Sequence, residues 1–129
     1  AERAASHAER KWPGSGPPIF ANAIRTVHDD LAALPTLSAA DIAARCFPDS
    51  PLTIVPLALA LATIMRSAED AILLATNVGG DSDSVASIAG GILGAMCPPT
   101  VNQQWSDVVT RVNGHAFGAV ARELARIRH

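Results

Sequence analysis

Asn77-Val78-Gly79-Gly80-Asp81-Ser82-Asp83-Ser84 is the one stretch of this 129-residue chain whose residue types and spacing suggest chemistry. Two carboxylates and two hydroxyls follow a pair of glycines and precede a long apolar segment, Val85 to Ala95. Glycines at 79 and 80 permit backbone angles that a Cβ forbids, so the chain can bend sharply just before the polar cluster. If the Asp81 and Asp83 carboxylates face one point, they repel by about 1–3 kcal/mol at a dielectric between those of protein and water. A cation removes that repulsion. Mg²⁺, Mn²⁺ and Ca²⁺ all take carboxylate, hydroxyl and water oxygens, and Asp81, Asp83 and Ser84 supply half of an octahedral shell. The same residues also suit the first turn of a helix, where Asp and Ser satisfy free amides and meet the helix dipole. Spacing leaves both readings open.

Two other readings of this stretch fail. An EF-hand loop beginning at Asp81 needs Gly at its sixth position and Glu at its twelfth, but Ala86 and Ile92 stand there. A phosphate cradle needs a lysine or bare amides after the glycines, and two carboxylates repel phosphate instead. Elsewhere the candidates are ordinary. His7, His28, His115 and His129 have no metal-ligand spacing, and Ser87 lacks a nucleophile-elbow context and is expected to pack along its helix. Asp29-Asp30 falls within an amphipathic stretch and reads as a solvated face. Cys46 and Cys97 sit among apolar neighbours and are expected to be buried free thiols in a reducing compartment. Trp12 and Trp105 read as core or edge packing.

Helices must position the cluster. Ala1 to Lys11 is a short amphiphilic stretch that ends in the breaker run Trp12 to Pro18. Ile19, Ala23, Val27 and Leu31 recur every fourth residue on a helix that Pro35 ends. Ser38 with Asp41 forms a capping signal for a helix running to about Cys46, and Pro48-Asp49-Ser50-Pro51 turns the chain again. Leu52 to Arg66 is apolar nearly all round, as the central helix of a bundle would be. Ser67 with Asp70 repeats the capping signal for a helix that stops at Asn77 to Gly80. The next helix begins within Asp81 to Ser84 and reaches about Met96, with Gly90 and Gly94 as a small-residue contact for a neighbour, before Pro98-Pro99 closes it. Thr100 to Val112 and Ala116 to Arg128 complete the reading of about seven helices.

Composition agrees. The chain is 49% hydrophobic and 17% charged, with 4% aromatic residues and no Tyr, which favours closely packed helices over sheet. We expect one all-α domain over residues 1–129, a compact orthogonal bundle large enough to fold without disulfides. Ten Lys and Arg against twelve Asp and Glu leave no basic footprint for nucleic acid. The longest apolar run, Leu52 to Met65, is too short to cross a bilayer, and the N-terminal stretch lacks a secretory signal pattern, so a cytoplasmic protein is expected.

With its flanks, the Gly79-Gly80-Asp81-Ser82-Asp83-Ser84 run resembles the late G-G-D-T-D-T motif of the ADP-ribosylglycohydrolases, with serines in place of the threonines. The likeness extends to the apolar helix before it, the short acidic helix Ala68 to Asn77, and the Gly90 to Ala95 tail. It implies an all-α fold holding two Mg²⁺ or Mn²⁺ ions that bind the ribose of an ADP-ribosyl group and assist cleavage of its N- or O-glycosidic bond. On this resemblance Asp81, Asp83 and Ser84 are metal ligands, and the ligand is an ADP-ribosylated substrate or an ADP-ribose-like small molecule. The family's opening half carries a Thr-Asp-Asp cluster that this sequence lacks. The chain therefore resembles the C-terminal portion of the family domain, to be completed by an N-terminal half or a second chain. The alternative is a non-catalytic helical protein retaining part of the fold.

Overall fold

A computed structural model describes residues 2–11, 19–114 and 117–127. Its described residues form eight α-helices, one 3-10 turn and no strand, as the composition predicts. The helices are α1 (Glu2–Lys11), α2 (Ile19–Ala32), α3 (Ala39–Ala43), α4 (Pro51–Ile64), α5 (Ala68–Thr76), α6 (Ser82–Met96), α7 (Gln103–Asn113) and α8 (Phe117–Ile127), with the 3-10 turn at Pro98–Thr100. No helix is long and apolar enough to cross a membrane among these residues.

The core forms around α4. Ile54, Pro56, Leu57, Ala58, Ala60, Leu61 and Ala62 are all buried, so this helix presents apolar surface on several sides at once. Helix α2 covers one side through Ala21, Ile24 and Leu31, and α6 covers another through Val85, Ala86 and Ala89. Complete burial of a Leu or Ile side chain is worth about 1.5–3 kcal/mol, which makes Leu57, Leu61, Leu31 and Ile42 principal anchors. Helix α5 packs along α6, and the contact is close because Gly90 faces Ile72: a Cβ at Gly90 would meet Ile72 Cγ1 at 2.6 Å. Gly94 likewise faces Val101, at 3.3 Å from a Cβ position.

Both capping signals form. Ser38 Oγ accepts the Asp41 amide at 3.4 Å while Asp41 Oδ2 accepts the Ser38 amide at 2.8 Å, closing a reciprocal box. The Ser38 hydroxyl, which donates to Asp41 Oδ2 at 2.6 Å, and then the Ser38 amide hold the Asp41 carboxyl below its ordinary pKa. Ser67 Oγ accepts the Asp70 amide at 3.2 Å at the start of α5. The segment after α6 is tied back onto α5 by two long-range bonds, Ala68 N–H to Thr100 Oγ1 at 2.9 Å and Asn102 Nδ2 to Glu69 Oε1 at 2.9 Å.

Several boundaries depart from the sequence reading. Helix α3 stops at Ala43, not Cys46, because the chain tightens into three-residue turns, Arg45 N–H to Ile42 O and Cys46 N–H to Ala43 O. Helix α7 begins at Gln103, not Thr100: Pro98 and Pro99 open the 3-10 turn, and Asn102 then caps the new helix by accepting the Trp105 amide at 3.1 Å. Cys46 is buried as expected, but Cys97 is only half-buried, since it lies where α6 ends against the two prolines. Ser87 is exposed on α6. The larger departure concerns compactness: α7 and α8 bury none of their residues, and Trp105, Val112, Leu124 and Ile127 keep 38%, 74%, 63% and 81% exposure. Compact packing extends through α2, α4, α5 and α6. Trp12, His115 and His129 lie outside the described residues.

The two adjacent helical glycines should behave oppositely. Gly90→Ala should destabilise the fold by about 1–3 kcal/mol through overpacking against Ile72. Gly91→Ala, whose Cβ would meet nothing within 4 Å, should stabilise it by about 0.5–1 kcal/mol through helix propensity; urea unfolding of the pair checks both signs. The cysteines form a second test. Burial, followed by the nearby Asp49 and Asp81 charges, pushes the Cys46 thiol pKa up, so a thiol-alkylating reagent at neutral pH should label Cys97 first. Cys46 should react only as the chain unfolds, which mass spectrometry of the labelled peptides resolves.

Candidate metal-binding turn

The polar cluster is carried by the turn between α5 and α6. Val78 is buried before it and Val85 after it, so the core grips the turn at both ends. The Asn77 side-chain amide donates to Leu73 O at 2.6 Å and finishes α5. Gly79 and Gly80 then take φ of +79° and +60°, the left-handed region that a residue with a Cβ adopts only with strain. This double bend reverses the chain onto α6, whose first helical bond runs from Val85 N–H to Asp81 O at 3.3 Å.

Asp81 stands at the N-cap position of α6, and no hydrogen bond of capping geometry reaches its side chain from the helix amides. Its carboxylate is instead influenced first by the Ser84 side chain, then by the Asp83 carboxyl and more weakly by the Ser84 amide, and these together hold its pKa below the ordinary carboxylate value. The three residues singled out from the sequence are therefore neighbours at one helix mouth. Asp81 and Ser84 are half-buried, and Asp83 is exposed. The stretch Asp29-Asp30 is elsewhere and fully accounted for: Asp29 Oδ1 lies 3.1 Å from His28 Nδ1, and Asp30 Oδ2 lies 3.4 Å from Arg45 Nη2.

Asp49 also belongs to this corner, and sequence spacing had assigned it only to a turn. Its Oδ1 accepts the Asp81 amide at 3.3 Å, across 32 residues of chain. The neighbouring Phe47 ring covers Gly80, where a Cβ would come within 3.0 Å of ring atom Cζ. No sequence periodicity links positions 49 and 81; the packing of α4 on α6 does.

The donor set suits a hard divalent cation, because carboxylate and hydroxyl oxygens are what Mg²⁺ and Mn²⁺ prefer. It is a partial shell. Among the described residues no group of three or more His, Cys, Asp or Glu side chains is arranged to hold an ion, so Asp81, Asp83 and Ser84 leave several coordination positions to water or other ligands. A separate cavity of about 200 Å³ lies between α1, α2 and α4. None of the turn residues lines it, and its Arg25 pairs with Glu2.

No curated protein and no solved structure matches the chain. The family model described as ADP-ribosylglycohydrolase matches residues 2–128. That span includes the Gly79–Ser84 turn and every helix described above, and the chain belongs to the ADP-ribosylglycohydrolase family.

Proposed function

We propose that residues 1–129 form a single domain that is the metal-binding, C-terminal part of a Mg²⁺- or Mn²⁺-dependent ADP-ribosylglycohydrolase, acting on the N- or O-glycosidic bond of an ADP-ribosylated substrate. The observation that carries the reading is the convergence of Asp81, Asp83 and Ser84 at the mouth of α6, where the Ser84 side chain acts on the Asp81 carboxylate more strongly than the helix amide does. A divalent ion held there supplies Lewis-acid polarisation of ribose oxygens and orientation of water. The chain's own contribution is to gather and aim the oxygens. Asp81, with its lowered pKa, is ionised at neutral pH and accepts a cation without first releasing a proton. The Gly79–Gly80 bend sets the direction in which the Asp81, Asp83 and Ser84 side chains leave the backbone.

In hydrolysis, water adds to the anomeric carbon, the glycosidic bond breaks, and the leaving group takes a proton. The residues that would transfer that proton lie outside the turn. With two carboxylates and one hydroxyl, the isolated chain should bind Mn²⁺ weakly, in the millimolar range, with water completing six-coordination. The missing ligands belong to an N-terminal half or a second chain bearing the Thr-Asp-Asp cluster. The alternative is a non-catalytic helical protein that retains part of the fold for binding or for a structural role. Two free cysteines accord with a reducing, cytoplasmic setting.

Asp83→Asn tests ligation, because Asp83 is the second residue of α6 and not its N-cap, and Asn keeps its size while removing the charge. If Asp83 is a ligand, the metal-free melting temperature should be unchanged or higher, through relief of repulsion. Mn²⁺ at ten times its dissociation constant should stabilise the wild type by about 1.4 kcal/mol and the variant by far less. In the completed enzyme the variant should lose most hydrolysis of ADP-ribosylated substrate. An undiminished Mn²⁺-dependent shift in Asp83→Asn would remove Asp83 from the ligand set.

A further inference from the structure

We propose that Asp49 is a positioning residue for the metal-binding turn: its carboxylate fixes the Gly80–Asp81 backbone so that the Asp81, Asp83 and Ser84 oxygens point outward together. The role rests on the metal reading of that turn given above. Three observations converge on it. Asp49 Oδ1 accepts the Asp81 amide at 3.3 Å, and this amide precedes the helix and has no place in its hydrogen-bond ladder. A Cβ on Gly80 would lie 2.9 Å from the same Oδ1 and 3.0 Å and 3.2 Å from two Phe47 ring atoms. Gly80 thus serves the turn twice, through its φ of +60° and through the space it leaves for the Asp49 carboxylate. Finally, Asp49 comes from outside the α5–α6 segment, 32 residues before Asp81, so it ties this corner to the start of α4.

Electrostatics explains why a third carboxylate is tolerated beside Asp81 and Asp83. Asp49 directly precedes Ser50, the N-cap of α4, and bonds to Asp81, the N-cap of α6. It stands between two helix N-termini, each equivalent to about half a positive charge. Those dipole ends offset the repulsion that the metal would otherwise have to overcome alone. Asp49 also links the starts of two helices that pack on one another, so the position of the turn follows the α4–α6 contact rather than fluctuating with the loop.

The test compares Asp49→Ala, which removes the acceptor, with Asp49→Asn, which keeps an oxygen acceptor and removes the charge. Two readouts are taken on the whole chain: hydrogen exchange and chemical shift of the Gly80 and Asp81 amides without metal, and the dissociation constant for Mn²⁺ from calorimetry. For a positioning role, Asp49→Ala should speed exchange of the Asp81 amide about tenfold and weaken Mn²⁺ binding about three- to tenfold, while Asp49→Asn restores most of both. Equal loss of Mn²⁺ affinity in the two variants, with the amides undisturbed, would make Asp49 a charge or ligand contributor and overturn the positioning role. Wild-type behaviour of Asp49→Ala in both readouts would overturn it as well. Should Asp49→Ala fail to fold, Asp49→Gln, whose acceptor oxygen is displaced by one methylene, takes its place and must speed exchange of the Asp81 amide if the role is real. A wild type that binds no Mn²⁺ would defeat the metal reading, and the amide exchange would still decide whether Asp49 holds the turn.

Discussion

Helix α4 cannot exist in water by itself, and the arrangement of the chain follows from that. Its fourteen residues include one internal proline and a nearly unbroken apolar surface, with seven side chains buried. Pro56 withdraws one hydrogen bond from the helix, so the helix relies on neighbours rather than on its own backbone. Covering it takes α2 on one side and α6 on another, and α5 then closes against α6 over Gly90. The order of these elements in the chain brings the loop before α4 and the loop before α6 to the same corner of the bundle. There Asp49 meets Asp81. The site is a consequence of where two helices must start once their lengths have been packed together.

That corner gathers three carboxylates, Asp49, Asp81 and Asp83, beside an apolar core. No polar or charged side chain is buried among the described residues, and the carboxylates of the turn remain open to solvent or half-covered. Such placement keeps their desolvation cost low and leaves lone pairs available to a ligand. The opposing forces are visible in single residues. Ser84 first and then Asp83 hold the Asp81 pKa down, which keeps the site anionic, whereas burial and then the Asp49 and Asp81 charges push the Cys46 thiol up and keep it protonated. A cation at the turn would relieve repulsion that the two helix N-termini relieve only in part.

Much of this was legible in the sequence wherever the cause was local. Ser38 with Asp41 and Ser67 with Asp70 marked helix starts, because a cap acts over three residues. Gly79 and Gly80 marked the left-handed bend, because only the absence of a Cβ makes it free of strain. Gly90 and Gly94 marked close contacts, and both face a side chain of another segment. Asp49 was not legible: Pro48-Asp49-Ser50-Pro51 signals a turn, but its partner 32 residues away is chosen by the α4–α6 packing, which no spacing encodes. Helices α7 and α8 show the same limit from the other direction. Their amphipathic pattern foretells an apolar face, yet nothing in it specifies what covers that face, and in this chain those side chains remain exposed. The exposed Val112, Leu124 and Ile127 contrast with the fully buried Leu57 and Leu61, whose helix is covered by sequence neighbours.

The central claim is that the oxygens at the start of α6 bind a divalent cation, and paramagnetic Mn²⁺ locates such a site directly. In a titration of the isotopically labelled chain with substoichiometric Mn²⁺, broadening should begin at the amides of Gly80, Asp81, Ser82, Asp83 and Ser84. It should extend next to Asp49 and leave α7 and α8 sharp, and excess Mg²⁺ should reverse it. Broadening centred on Glu2 and Asp29 beside the α1–α2–α4 cavity, or spread evenly over the surface carboxylates with no preference for the turn, would contradict the account.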